Sequence, residues 1–183
     1  MKKELLSTRT KEMVKTVENI AHYEEDLYKR ATLEEETLQI IIFRLSQEWY
    51  GVEIRKVKEV IRVTKITYLP SSPEYIAGIV NLRGNILSVT DLKRILSLPY
   101  EEPTEKTRII AVELGILETG LLVDEVIESI EVPLSKIEPS LLTIPSEGAK
   151  YIEGQCKVNN KLIALVSVQK VLERGGVDEE SNR

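Results

Sequence analysis

The chain has 183 residues, of which 42% are hydrophobic and 30% are charged, and its formal net charge is −5. This length allows one ordinary domain or two small ones, with enough residues to bury a core without cross-links. The acidic balance argues against a nucleic-acid-binding protein, because that class of protein needs a basic face.

The N-terminus, the hydropathy and the cysteine count together predict the cellular location. The first residues carry charges but no apolar run, which is unlike a signal peptide. No stretch of about 18 apolar residues occurs, so we expect no direct membrane insertion. The single cysteine, Cys156, cannot form an internal disulfide and fits a reducing compartment. A cytoplasmic protein is therefore expected.

Residues 1–37 form the first segment and contain no glycine or proline. Four apolar residues recur at every seventh position: Leu6, Met13, Ile20 and Leu27. This spacing predicts an N-terminal amphipathic α-helix, although Thr10 and Glu24 interrupt its apolar seam. Two alternatives stay open: the helix packs back on the rest of the chain, or it binds a partner or a second copy and so mediates self-association.

Residues 38–98 change to the two-residue period of β-strands. The first strand is apolar on both faces through residues 40–43, which is typical of a strand covered on both sides. Three residues of one face are expected to be buried: Ile41, Phe43 and Leu45. Farther on, Val57, Val60 and Ile61 follow an i, i+3, i+4 spacing, which predicts one short helical turn.

A hairpin and a capped helical turn complete this segment. Residues 79–82 and 86–89 flank Arg83-Gly84-Asn85, and this pattern of apolar runs around turn residues predicts a β-hairpin. Asp91 comes directly before the apolar residues of 92–96. An aspartate in this place is predicted to cap the first turn of a short helix.

Residues 107–173 repeat the pattern of 38–98 after a short linker. Two matched pairs anchor the alignment: Gly51 with Gly120, and Tyr75 with Tyr151. An insertion in the second copy, near Pro139 and Pro145, separates the two anchors. Each copy has about 60 residues and about five short strands, which predicts a small closed barrel. Whether the barrels exchange strands stays open.

We therefore predict a mainly β chain of two tandem five-stranded barrels packed together, with short helices and the N-terminal α-helix. The expected division is a helical extension at 1–37, the barrels at 38–173 and a disordered tail at 174–183. Val112 and Leu114 occupy the places in the second copy that correspond to buried residues of the first strand. Both are expected to be buried as well.

Residue types that carry catalysis and metal binding are scarce. The single histidine, His22, lies in the predicted N-terminal helix and is too little for a metal site or a Ser-His-Asp triad. No glycine-rich nucleotide motif occurs, and Cys156 aligns with a strand position that favours an inert buried thiol. We expect no enzyme activity, no cofactor and no metal. An enzyme with a carboxylate pair and a barrel that binds a small ligand stay as alternatives.

Comparison of the two copies separates structural residues from candidate recognition residues. The first hairpin reads Asn81-Leu82-Arg83-Gly84-Asn85, and its counterpart reads Lys157-Val158-Asn159-Asn160-Lys161. Asparagine closes such a turn by tolerating positive φ, so the turn does not need Arg83. Arg83 is a candidate recognition residue, and the alternative is an arginine that pairs locally with a carboxylate. Glu59 matches Glu128, which favours a structural or solvated role.

Four motifs together resemble the CheW family of chemotaxis coupling proteins. They are residues 50–61 (YGVEIRKVKEVI), 66–70 (ITYLP), 75–84 (YIAGIVNLRG) and 91–92 (DL). The resemblance spans residues 38–173 and leaves out the N-terminal segment. It implies two SH3-like barrels and a non-catalytic adaptor that bridges chemoreceptors, the methyl-accepting chemotaxis proteins, to a CheA-type histidine kinase.

The resemblance also implies partner-binding residues. Receptor contact is expected at the helical turn and the hairpin: Val57, Glu59, Asn81 and Arg83. Contact with the regulatory domain of the kinase is expected on the other barrel: Gly120, Leu121 and Asp124. The protein would then work in the cytoplasm at membrane-associated receptor arrays. The N-terminal extension departs from the family pattern and keeps open a specialised, non-flagellar pathway.

Overall fold

The computed structural model describes residues 35–63, 65–139 and 147–177 of the chain. The N-terminal helix predicted for 1–37, including His22 and the seam assigned to self-association, lies outside these residues except for its last three positions. Most of the insertion of the second copy, at 140–146, and residues 178–183 lie outside them too. Within the described ranges, no helix is long and apolar enough to cross a membrane.

Strands dominate the described ranges, as predicted. Eleven are present: β1 (Thr37–Leu45), β2 (Glu48–Glu53), β3 (Val57–Arg62), β4 (Ile76–Leu82), β5 (Asn85–Asp91), β6 (Arg108–Leu114), β7 (Leu117–Val123), β8 (Glu125–Pro133), β9 (Ile137–Glu138), β10 (Ile152–Val158) and β11 (Lys161–Val166). Two α-helices are described, α1 (Leu92–Ile95) and α2 (Val168–Val177), with 3-10 turns at Ile54–Lys56, Leu134–Lys136 and Glu147–Tyr151. The predicted hairpin forms between β4 and β5, and the Asp91 side chain caps α1 by accepting from the backbone N–H groups of Lys93 and Arg94.

Each of the two sheets takes strands from both sequence copies. The sheet of the first barrel has the order β8-β1-β2-β11-β10-β9, and that of the second barrel has the order β3-β6-β7-β5-β4. β1 and β2 therefore complete a barrel built mainly from the second copy, and β6 and β7 do the reverse. The strand exchange that the sequence left open occurs, so neither barrel corresponds to one of the ranges 38–98 and 107–173.

The two barrels have the same pairing pattern and close in the same way. β2 runs parallel to β11 in the first barrel, and the equivalent β7 runs parallel to β5 in the second. In the first barrel, β8 leads through Leu134–Lys136 into β9, which pairs with β10 at the opposite edge. In the second, the chain after β3 returns to pair Thr67 with Ile79 of β4. One continuous chain thus joins both edges of each sheet, which removes exposed strand edges.

Strands β1 and β6 are apolar on both faces because each face meets a different core. Ile40 and Ile42 point into the first barrel, whereas Ile41, Phe43 and Leu45 join a shared core between the two barrels. The equivalent β6 contributes to the interior of the second barrel and to the shared core in the same alternating manner. The strand that looked covered on both sides in the sequence is therefore the contact surface between barrels.

Helix α2 ties the equivalent tyrosines of the two copies together. The Arg174 guanidinium stacks over the ring of Tyr75 at 4.7 Å and also donates a hydrogen bond to the Tyr151 hydroxyl. Both tyrosines are buried in the shared core. Since α2 continues to Val177, residues 174–177 are helical and the expected tail does not begin at 174.

Two local predictions were wrong. Residues 57–61 belong to β3 instead of a helical turn, and the turn lies just before them at Ile54–Lys56. Burial alternates along β3, and Val60 is an apolar residue on its exposed face, so its spacing with Val57 and Ile61 imitates a helix. Leu114 is 37% exposed, unlike Ile41, Phe43, Leu45 and Val112, because it ends β6 at a hairpin tip that extends beyond the shared core.

Candidate functional site

The β4–β5 hairpin carries the most prominent candidate side chain, Arg83. Its Nη2 atom donates to Oε2 of Glu59 at 2.9 Å, and the arginine side chain is 79% exposed. Glu59 comes from β3, which closure of the second barrel brings beside the hairpin. Local pairing with a carboxylate, the alternative weighed from the sequence, is therefore present. The guanidinium still keeps most of its surface and donors free for a partner.

The backbone at this hairpin tip is unusual for arginine. Arg83 has a φ of 52° and Gly84 a φ of 92°, while the equivalent residues Asn159 and Asn160 have values of 48° and 65°. A left-handed conformation costs a non-glycine residue about 1–2 kcal/mol, and asparagine tolerates it best. The second hairpin shows that this turn closes without arginine. Arg83 is therefore a candidate for a functional role, because the turn does not need an arginine in order to fold.

Asn81 helps to form the same turn. Its Oδ1 atom accepts a hydrogen bond from the Gly84 backbone N–H at 2.8 Å, so the side chain stabilises the hairpin from its exposed face. The structure thus brings Glu59, Asn81 and Arg83 together at one end of the second barrel. Val57 starts β3 but packs against the shared core, which makes it a less accessible member of the predicted receptor-binding set.

The match between Glu59 and Glu128 does not make the two glutamates equivalent in chemistry. Glu128 lies on β8 of the first barrel, where the residue that corresponds to Arg83 is Asn159. Asparagine carries no charge, so the ion pair of the second barrel has no counterpart at that hairpin. Glu59 therefore holds the Arg83 side chain in an ion pair, a contact that the alignment alone did not reveal.

Gly120 and Leu121 do not fit the kinase-contact role that the resemblance implied. Both are buried in β7, and a Cβ on Gly120 would lie 2.4 Å from Cγ2 of Ile109. Leu121 has no exposed surface and belongs to the shared core. Strand exchange also places β7 in the same barrel as Arg83 instead of the other one. These two residues cannot contact a partner directly while the barrel is folded.

Asp124 instead connects parts of the fold. The Lys93 ammonium lies 2.8 Å from Asp124 Oδ1 and 2.8 Å from Glu101 Oε2, and the other Asp124 oxygen accepts from the Ser46 backbone N–H. Burial opposes the charge of Lys93, but hydrogen bonds to Asp124 and Glu101 outweigh it and raise the pKa of the ammonium. Asp124 thus joins α1 of the first copy to the β1–β2 turn of the other barrel.

The structure shows an exposed apolar surface that the sequence prediction did not include. Its members lie at the hairpin end of the second barrel: Ile86, Leu114, Ile116 and Leu117. The signal was available in the repeat, since Ile116 aligns with Gln47 and Leu117 with Glu48. Polar residues at the same turn of one copy and apolar residues in the other indicate a difference that the fold does not require.

The clefts and titratable groups of the described residues give little support for a catalytic or metal site. A polar cleft near the linker, of about 460 Å³, is lined by Lys93, Asp124 and Glu101, and Lys93 already pairs with both carboxylates. In the described ranges, no cluster of three or more His, Cys, Asp or Glu residues could hold a metal ion. Burial raises the pKa of the Cys156 thiol, which disfavours the reactive thiolate.

The fold and this site define a double-barrel protein with an exposed arginine on the hairpin of its second barrel. The family model described as CheW-like domain matches residues 39–175. The chain belongs to the CheW family of chemotaxis coupling proteins.

Three relatives illustrate this membership. "Chemotaxis protein CheW" of Bacillus subtilis is 32% identical, over 74% of this chain and 87% of that protein. "Protein FrzA" of Myxococcus xanthus is 30% identical, over 74% of this chain and 85% of that protein. The crystal structure of scaffolding protein TtCheW from Thermoanaerobacter tengcongensis has a TM-score of 0.68 and 34% identity, covering 74% of this chain and 88% of that one. The SH3-like double-barrel prediction is confirmed.

Proposed function

We propose that the chain is a non-catalytic adaptor that couples chemoreceptors to a CheA-type histidine kinase. The observation that carries the proposal is Arg83, an exposed arginine held at positive φ on a hairpin whose counterpart uses asparagine. Membership in the CheW family supports the partners, and the adaptor would then act on the cytoplasmic side, at the receptor tips.

The receptor-binding face of the proposal is centred on Glu59, Asn81 and Arg83. A guanidinium offers five donors in a rigid fork, and Glu59 uses only part of them. Receptor tips are helical hairpins, so carboxylates and helix-end carbonyls are suitable acceptors. Glu59 and the Asn81 turn hold Arg83 in place before a partner arrives, which reduces the ordering cost of binding.

We place the proposed kinase contact on the first barrel, because the proposed receptor face on the second barrel then stays free. Two exposed leucines on this barrel, Leu134 and Leu162, would provide apolar contact with the barrel-shaped regulatory domain of the kinase. An apolar groove of about 440 Å³ beside Leu162 is lined by Trp49 and Tyr50. An apolar patch with a polar rim is the usual anatomy of such an interface.

Removal of the Arg83 guanidinium should separate binding from stability. Arg83→Ala, and Arg83→Asn as a variant that copies the second hairpin, should change the free energy of unfolding by less than ~0.5 kcal/mol. Receptor affinity should fall by ~1–3 kcal/mol, the range of a recognition arginine, while kinase binding persists. Titration of each variant with a receptor tip fragment and with the kinase regulatory domain measures both effects.

Two outcomes of this titration would count against the assignment. A large loss of stability in both variants would identify Arg83 as a structural clamp. Unchanged affinity for both partners in folded variants would place the receptor face elsewhere on the molecule.

A second candidate function is an adaptor in a specialised pathway that does not control flagella. The similarity to Protein FrzA favours it, because this relative does not carry the CheW name. Residues 1–38 also lie outside the matched family range and give this chain an N-terminal segment of its own. Affinities for receptors from different gene clusters of the same genome would distinguish the two pathways.

A further inference from the structure

The polar cleft of about 460 Å³ lies at the end of the second barrel that is opposite its two hairpins. We call it the linker cleft, because its walls are residues 66–77, α1 with its cap, residues 100–107 of the linker and residues 122–124. Two of the lining residues are tyrosines, Tyr68 with 71% of its surface exposed and Tyr100 with 59%. Exposed tyrosines beside a concave surface are typical of binding sites, because the ring supplies contact area and the hydroxyl stays solvated.

The charges in the linker cleft leave an excess of carboxylates. Lys93 pairs with both Asp124 and Glu101 at 2.8 Å, and only 6% of its side chain is exposed. Arg94 lies 3.6 Å from Asp91 and 3.7 Å from Glu74. Among the described residues of the lining, four carboxylates therefore face two cations that are already engaged, which leaves a net charge of −2. A complementary ligand brings a cation.

Comparison of the two copies shows that the fold does not require this charge. Lys150 occupies the place of Glu74 in the second copy, and Ser167 occupies the place of Asp91. The Ser167 hydroxyl accepts from the backbone N–H of Lys170 at the start of α2, so a neutral residue can cap the equivalent helix. The acidic character of the linker cleft is thus a difference between the copies that barrel closure does not explain.

The molecule itself shows how paired tyrosines hold a guanidinium. The Arg174 guanidinium lies 4.7 Å from the centre of the Tyr75 ring and 5.4 Å from that of Tyr151. A guanidinium is flat and weakly hydrated, so it stacks on aromatic faces and pairs with carboxylates at the same time. Tyr68 and Tyr100 offer rings of the same kind in the linker cleft, next to its excess carboxylates.

We propose that the linker cleft binds an arginine on an extended segment of a partner protein. The arginine stacks on Tyr68 or Tyr100 and pairs with Glu74 or Glu101, the most exposed carboxylates of the lining. The volume of the linker cleft is that of a site for a small ligand, which suits a few extended residues and is too small for a helix about 10 Å across. The inference goes beyond the proposed adaptor function and does not depend on it.

A labelled peptide of alternating arginine and proline residues is the probe for this inference, because proline keeps the peptide extended. Its binding to the full-length chain is measured by fluorescence anisotropy. A second peptide with citrulline in place of arginine keeps the shape and removes the charge. The arginine peptide should bind about 10-fold more tightly, which is the difference between a charge-assisted hydrogen bond and a neutral one. Added salt should weaken its binding.

Two variants of the linker cleft and one matched control locate the site. Tyr68→Ala, and Glu74→Lys as a copy of Lys150, should each weaken binding of the arginine peptide by about 3-fold to 10-fold. Glu153→Lys makes the same change of charge on an exposed position of β10 in the first barrel and should bind as the unmodified chain does. All three side chains are exposed, so the thermal unfolding midpoint should stay unchanged.

Three outcomes would overturn the inference. The first is equal affinity of the unmodified chain for the arginine and citrulline peptides. The second is normal affinity of both Tyr68→Ala and Glu74→Lys for the arginine peptide. The third is a loss in Glu153→Lys as large as that in Glu74→Lys, which would indicate unspecific attraction to an acidic protein. Each of them would leave the adaptor function standing, since binding of receptor and kinase is measured separately.

Discussion

Leu121→Asp should unfold the protein. The leucine is fully buried in the shared core, where β7 meets the opposite barrel. Aspartate removes its apolar contacts and places a polar group where no water can solvate it. The combined cost should be about 5 kcal/mol or more, as large as the whole stability of many domains.

Urea unfolding followed by circular dichroism measures this effect. Leu162→Asp, the matched control, changes a half-exposed leucine of the first barrel and should shift the free energy of unfolding by less than ~1 kcal/mol. A folded Leu121→Asp variant of near-normal stability would show that β7 does not face the shared core.

Phe43→Ala should cost ~3–5 kcal/mol of unfolding free energy, the range of buried aromatic truncations. Phe43 has no exposed surface and stacks on Tyr50 with ring centroids 6.0 Å apart. It lies on β1, an exchanged strand, so the cavity would open between the two barrels. The midpoint of urea unfolding should fall, while the slope of the unfolding free energy against urea concentration, the m-value, stays constant.

Phe43→Leu provides the control for this variant because it keeps most of the apolar volume. Its loss of stability should be clearly smaller than that of Phe43→Ala. A loss below ~1 kcal/mol for Phe43→Ala would mean that the residue is outside the core.

Local features could be predicted from the sequence because their causes are local. Apolar residues on both faces of β1 predicted a strand covered on both sides, and Asp91 predicted a capped helix. Strand exchange could not be predicted, since each copy contains a full set of strands. Whether β1 pairs with β3 or with β8 depends on contacts between residues far apart in the chain.

The two local errors have physical reasons. Burial alternates along β3 as in any strand, but the exposed residue Val60 is apolar, so Val57, Val60 and Ile61 have a helical spacing by coincidence. Leu114 corresponds to the buried Leu45, but the two barrels differ in what covers this end of the strand. Alignment of the two copies predicts the positions of strands well, but it predicts burial at hairpin tips poorly.

The candidate site was partly predictable for a related reason. Arg83 was identified because its counterpart Asn159 shows what the turn alone needs. The same comparison, applied to Gln47 and Ile116, identifies the exposed apolar residues at the hairpin end of the second barrel. The kinase-contact residues were predicted from the family resemblance, without a comparison of the two copies. Gly120 and Leu121 are buried, which contradicts a direct contact with the kinase.

Simultaneous binding of both partners is the most direct test of the adaptor function. A receptor tip fragment, the regulatory domain of a CheA-type kinase and the full-length chain should form a three-component complex in sedimentation velocity experiments. The receptor fragment and the kinase domain should co-sediment far more weakly when the chain is omitted. Binding of the two partners that is mutually exclusive, or absence of binding to either, would contradict the account.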